Sequence, residues 1–194
     1  MQRLIGAKKI NIAVFISGNG SNFKNLILDS LKKRSKYEIK LVISNKTAAK
    51  GLVYARKFKV KKKVINYQNK KNAEKSILVE LKKNNIDLIC LAGFMKILSK
   101  TLIKQFKGKI INIHPSLLPK YKGLNTHKRA IDNKEKYSGC TVHYVNSRLD
   151  SGKIILQKKI RILKTDDSSK LAKRILKQEH VLYPKALKKV LTSL

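Results

Sequence analysis

The stretch INIAVFISGNGSNF, residues 10–23, decides the fold. Residues 10–17 are a near-continuous apolar run, the pattern of a strand buried on both faces in a parallel sheet. Gly18-Asn19-Gly20 then breaks the run. Ser21 stands where a helix cap belongs, and Phe23, Leu26, Ile27 and Leu31 follow at helical spacing. A buried strand, a glycine turn and an amphipathic helix in that order open a βαβ unit.

The same rhythm repeats outward from this stretch. Strands are predicted over residues 39–44, 60–65, 86–92 and 109–113, with helices over 48–58, 73–83 and 100–106 between them. The second half changes character. Residues 115–125 read as a loop through Pro115, Pro119 and Gly123, and a short helix follows over 126–132. Residues 141–145 and 153–162 read as two strands joined by a turn over 146–152, close enough to pair antiparallel. A long helix closes the chain over 166–194, with Asp166 or Asp167 at its start and Pro184 expected to kink it. The expected fold is α/β: a doubly wound, mainly parallel, Rossmann-like sheet with a C-terminal antiparallel addition and a long C-terminal helix. No internal repeat or long linker divides the chain, so residues 1–194 read as one domain.

Composition narrows the class. The chain has 194 residues with 42% hydrophobic and 29% charged, an ordinary globular mix that excludes wholesale disorder. Its longest apolar run, residues 86–95, is far short of the roughly 20 residues that span a bilayer, so no membrane partner is expected. Residues 1–9 hold no apolar core of their own, and no signal peptide is expected. Cys90 and Cys140 form neither a disulfide framework nor a metal spacing, which points to a cytoplasmic protein with no metal. Lys and Arg total 46 against 11 Asp and Glu, a net charge of +35. That excess suggests a polyanion partner. Against it, the charge is dispersed, mostly Lys, and accompanied by only 6% aromatics and no Trp. A nucleic-acid surface would favour Arg forks and stacking rings. The alternative is a solvated lysine surface from AT-rich codon usage.

Four places carry candidate chemistry. Ser17 to Asn22 (SGNGSN) lies where a strand ends and a helix begins, so free N–H groups and the positive helix end suit a phosphate there. The plain alternative is an Asn-Gly turn with a Ser cap. Asn112 and His114 sit two apart at a strand end and share one face. An amide donor beside an imidazole can polarise a carbonyl and move a proton, or His114 is simply a core histidine bonded to backbone. Asp150 before Ser151-Gly152 is a turn residue unless it faces His114. Glu179 is one of few acidic residues, set within the last helix.

Taken in order, these pieces resemble the glycinamide ribonucleotide transformylase family, folate-dependent formyltransferases of purine biosynthesis. The resemblance rests on NIAVFISGNGSNF (11–23), LVISNK (41–46), LAGFMKILS (91–99), INIHPSLLPKYKGLNTH (111–127), GCTVHYV (139–145), LDSGKIILQ (149–157) and QEHVLYP (178–184). It implies formyl transfer from 10-formyltetrahydrofolate, as co-substrate, to the amine of glycinamide ribonucleotide. It implies that Asn112, His114 and Asp150 are catalytic. Gly20, Ser21, Asn22 and Glu179 would bind the nucleotide, and Lys70, Met95, Lys96, Ile97, Leu98 and Asn112 would meet the folate. Backbone around residues 145–150 would join the folate pocket. Asn125 stands where the family usually carries a second histidine, and Lys70 where it usually carries Arg. The implied partners are small-molecule substrates, with no specific nucleic acid, in a monomer or weak homodimer. Methionyl-tRNA formyltransferase shares IHPSLLP but needs a further RNA-binding domain, which 194 residues are not expected to hold.

Overall fold

A computed structural model describes residues 9–192. The first half alternates strand and helix: β1 (Ile10–Ile16), α1 (Ser21–Ser30), β2 (Tyr37–Ser44), α2 (Leu52–Lys57), β3 (Lys61–Val64), α3 (Lys70–Lys83), β4 (Leu88–Leu91), α4 (Lys100–Gln105) and β5 (Lys109–His114). The second half holds α5 (Thr126–Asp132), β6 (Tyr137–Tyr144), β7 (Ile154–Arg161) and α6 (Ser168–Leu191). The sheet order is β3-β2-β1-β4-β5-β6-β7. Strands β3 to β5 run parallel, while β6 pairs antiparallel with both β5 and β7. This is the doubly wound sheet with an antiparallel addition that the sequence predicts.

Alternation along β1 builds the two layers. Ile12, Val14 and Ile16 face one way, into a core with Phe23, Leu26 and Ile27 of α1 and Leu171, Tyr183 and Leu187 of α6. Ala13 and Phe15 face the other way, against Ile77 and Leu81 of α3 and Leu102 of α4. Both faces of the central strand are covered, so its apolar residues run without a break. The sheet edges carry the lysines: Lys61, Lys62 and Lys63 of β3 are exposed at one end, and Lys158 and Lys159 of β7 at the other. Charged edge strands resist pairing with another chain.

Several boundaries differ from the sequence reading. α2 begins only at Leu52, because Gly51 is drawn into a close approach with Gly20. α3 starts at Lys70, three residues early, where Asn69 Oδ1 accepts from the Asn72 N–H at 3.0 Å. β6 starts at Tyr137 because residues 137–140 pair with residues 158–161 of β7. Ser21 is not a cap: Gly20 holds the cap position at φ 68° and offers no side-chain acceptor. Asp167, not Asp166, caps α6 through the Lys170 N–H at 2.8 Å, while Asp166 pairs with Arg174. α6 stays helical through Pro184. Proline there removes the N–H that would serve the His180 carbonyl, and Asn25 Nδ2 donates to that carbonyl instead. The expected end of this helix at Leu194 falls outside the described residues.

The parallel strand order reverses between β1 and β4. A doubly wound sheet opens a crevice at the carboxyl ends of its strands at such a point. Residues 17–22 after β1, 92–98 after β4, and Asn112 to His114 at the end of β5 all reach that crevice.

Candidate active site

A cavity of about 1230 Å³ occupies the crevice. At one end stands the start of α1. Gly20 supplies no capping oxygen, so the first helical N–H groups, at Ser21 and Asn22, open into the cavity. Gly20 is required for packing. An added Cβ would lie 2.6 Å from the Gly51 Cα, and its φ is left-handed. Gly18 is different, since nothing lies within 4 Å of where its Cβ would be. Asn22 Nδ2 donates to Glu179 Oε2 at 2.7 Å across the interface between α1 and α6. Its Oδ1 is buried with no partner, and both residues line the cavity. Burial pushes the Glu179 carboxyl above its usual value, and the Asn22 bond offsets part of that rise.

The centre is built by β5, β6 and two loops. Asn112 of β5 lies directly opposite His143 of β6 in the antiparallel register, so the two side chains share one face. Asn112 Nδ2 is 3.2 Å from His143 Nε2 and 3.5 Å from Asp150 Oδ1. His143 Nδ1 lies 2.8 Å from the Tyr144 carbonyl, which can only accept. In the neutral ring that leaves the Nε2 lone pair for Asn112. His114 Nδ1 stands 3.4 Å from Asp150 Oδ2, and His114 Nε2 donates to the Tyr121 carbonyl at 2.9 Å. Asp150 Oδ2 also accepts from the Gly123 N–H at 2.9 Å. The turn over 146–152 therefore folds back over the end of β5, and the loop over 115–125 closes on the same point.

Burial dominates the electrostatics of His114: at 5% exposure it holds the imidazole below 6.5. The Tyr121 carbonyl and Asp150 oppose that, while His143 and Arg129 add to it. Burial pushes the Asp150 carboxyl up, but the His143 ring, the Gly123 N–H and the charge of His114 together reverse this and hold it below the usual carboxylate value. His127, also on the cavity wall, is lowered by burial and by His114, and its Nδ1 has no partner.

The other end of the cavity is apolar. Met95, Lys96, Ile97, Leu98, Val145 and Leu149 line it, with Met95 and Ile97 more than half exposed to the open space. Ser17 fixes this wall: its Oγ donates to Asn45 Oδ1 at 2.5 Å and accepts from the Met95 N–H at 2.8 Å. Lys70 is exposed at the start of α3 and is not among the residues lining the cavity. Asn125 lines it in a left-handed conformation, φ 57°, which asparagine tolerates well. The sequence reading missed His143 as a member of the centre. Its signal is the HYV segment of β6, legible only once the β5–β6 register is known. It also missed His127, Lys128 and Ser168 on the wall.

The formyl transferase family matches residues 10–187 of this chain. The chain is 42% identical over 180 residues to the phosphoribosylglycinamide formyltransferase of Haemophilus influenzae, covering 91% of this chain and 85% of that protein. It is 41% identical over 186 residues to the human trifunctional purine biosynthetic protein adenosine-3, covering 94% of this chain but only 18% of the human protein. The crystal structure of phosphoribosylglycinamide formyltransferase from Brucella melitensis shares the fold with a TM-score of 0.90 at 42% identity, covering 94% of this chain and 96% of that one. The chain belongs to the formyl transferase family, and within it to the phosphoribosylglycinamide formyltransferases.

Proposed function

We propose that this chain transfers the formyl group of 10-formyltetrahydrofolate to the amine of glycinamide ribonucleotide. The observation that carries this reading is one cavity with three kinds of wall. The open N-terminus of α1 suits an anion, the apolar wall over residues 95–98 suits a flat heterocycle, and Asn112, His114 and Asp150 meet between them. Its volume of about 1230 Å³ exceeds that of an ordinary small-ligand pocket, which suits two substrates held together.

The mechanism follows from the side chains. As the amine attacks the formyl carbon, negative charge grows on the formyl oxygen. Asn112 has one amide hydrogen on His143 and a second only loosely held at 3.5 Å from Asp150. That second hydrogen, weakly engaged in the amide plane, is available to the oxyanion. His114 takes the proton from the amine and returns one to the departing folate nitrogen. Asp150 stays ionised, keeps the imidazole oriented and favours its charged form against burial. Ser21 and Asn22 hold the phosphate and ribose side, with Gly20 shaping the turn, and Glu179 meets the glycinamide end. Lys70 as a contact for the folate tail rests on the resemblance alone. No helix among the described residues is long and apolar enough to cross a membrane. The reading further places the protein in the cytoplasm as a single formyltransferase unit, monomeric or weakly dimeric, with no sequence-specific nucleic acid.

The test is formyl transfer to synthetic glycinamide ribonucleotide, followed by folate absorbance. Turnover that needs both substrates supports the reading. Turnover with another amine acceptor and none with this one overturns it.

A further inference from the structure

Outside the cleft, a second and smaller cavity of about 250 Å³ lies behind the loop over 115–125. Tyr121 stands between the two. Its side chain and Glu135 line the small cavity, while its backbone carbonyl bonds His114 in the cleft. Tyr121 adopts a left-handed φ of 56°, strained for an aromatic residue, so something must hold it. That something is Glu135, on the connection from α5 to β6. Its Oε1 accepts from the Tyr121 hydroxyl at 2.8 Å and from Lys120 Nζ at 2.7 Å. Asn133 Nδ2 donates to the same hydroxyl at 2.9 Å, and the Arg129 guanidinium lies 5.1 Å over the ring. Two residues further on, the Gly123 N–H holds Asp150.

A carbonyl can only accept, so the Tyr121 bond fixes the proton of neutral His114 on Nε2. The lone pair is then on Nδ1, whose contact with Asp150 is long at 3.4 Å. We propose that Glu135 is a positioning residue for formyl transfer, clamping Tyr121 so that its carbonyl presets the His114 tautomer and makes Nδ1 the nitrogen that carries the proton. The clamp lies outside the substrate cleft and touches no substrate. This rests on the reading of His114 as the proton carrier. A purely structural role for Glu135 would lower stability and leave the tautomer alone.

The experiment compares Glu135→Ala, Glu135→Gln, Tyr121→Phe and His114→Ala by steady-state kinetics, thermal melting and long-range ¹H–¹⁵N NMR of the histidine rings. In the native chain, neutral His114 shows the Nε2–H tautomer. Glu135→Ala should give a mixture of tautomers and a kcat lowered by about tenfold, less than the 10²-fold that a 1 Å misplacement can cause. KM for both substrates should stay within about twofold, as for a group acting on the reaction step. Glu135→Gln keeps an oxygen acceptor for both donors and should recover most of the rate. If Glu135→Ala does not fold, Tyr121→Phe, which removes only the clamped hydroxyl, should show the same change in smaller measure. A native tautomer in the folded variants overturns the proposal, whether or not kcat falls. Retained transfer by His114→Ala overturns instead the reading on which it rests.

Discussion

His114 Nδ1 faces Asp150 Oδ2 at 3.4 Å, with both side chains almost closed to solvent. Burial works against a charged imidazole here, and Asp150 is the carboxylate that resists it. Asp150→Asn removes that support, so the His114 pKa should fall further below 6.5. The limb of the pH–rate profile that reports this histidine should move to lower pH. Turnover should drop by about 10² to 10⁴, the scale of a lost proton-transfer partner. His114→Ala should do at least as much, and the double variant little more, because the pair acts as one unit. An unmoved profile with most activity kept would remove Asp150 from the mechanism.

Two glycines of the turn after β1 should separate packing from binding. Gly20→Ala drives a Cβ to 2.6 Å from the Gly51 Cα at a left-handed φ. The conformation alone costs about 1–2 kcal/mol, and the clash adds to it. Melting temperature and both ligand affinities should fall together. Gly18→Ala meets nothing within 4 Å and should melt like the native chain. Gly18 lines the cavity, so nucleotide binding should weaken while folate binding holds. Isothermal titration of each ligand against each variant decides it. Equal loss of both ligands in Gly18→Ala would refute the phosphate assignment.

The doubly wound sheet was legible because burial on both faces leaves a continuous apolar run, and β1 reads that way without help from its neighbours. Boundaries set by long-range contacts were not legible. Nothing local marks Gly51 as the partner of Gly20, which delays α2, or marks residues 137–140 as strand before β7 is placed beside them. The proposed trio of Asn112, His114 and Asp150 stands out from motif order, but His143 does not, since only antiparallel register sets it opposite Asn112. The direction of the His114 shift is hidden in the sequence for a related reason. A sequence displays the charge of Asp150 and hides the depth at which the imidazole is buried.

His143 should matter through Asn112. Its Nε2, 3.2 Å from Asn112 Nδ2, fixes the plane of the amide proposed to face the oxyanion. His143→Ala leaves the Asn112 amide short of a partner, at a cost of about 1–3 kcal/mol for the unsatisfied group. The expected outcome is a folded enzyme with kcat reduced and KM nearly unchanged. A large rise in KM for the nucleotide alone would place His143 on the binding side of the site.

Acid should destabilise this protein earlier than its carboxylates alone dictate. Besides His114, burial lowers the pKa of both His127 and His180, and His180 Nε2 also has no hydrogen-bond partner. In the unfolded chain each histidine binds a proton near 6.5. Folded, each binds it only at lower pH. As pH falls below about 6.5 the unfolded state holds more protons, and stability declines by at most about 1.4 kcal/mol per pH unit for each proton in excess. Asp29 and Asp150 are lowered carboxylates, so their contribution is lost only below the usual carboxylate range and does not enter this window. Glu179 is raised by burial and acts in the opposite sense, its folded form losing ground as pH rises above the ordinary carboxylate value. The native slope is therefore a difference, and variants isolate its parts. His127→Gln with His180→Gln should flatten the fall in melting temperature between about pH 7 and pH 5. Glu179→Gln should steepen it. A slope that the double histidine variant leaves unchanged would mean that neither ring is buried neutral in solution.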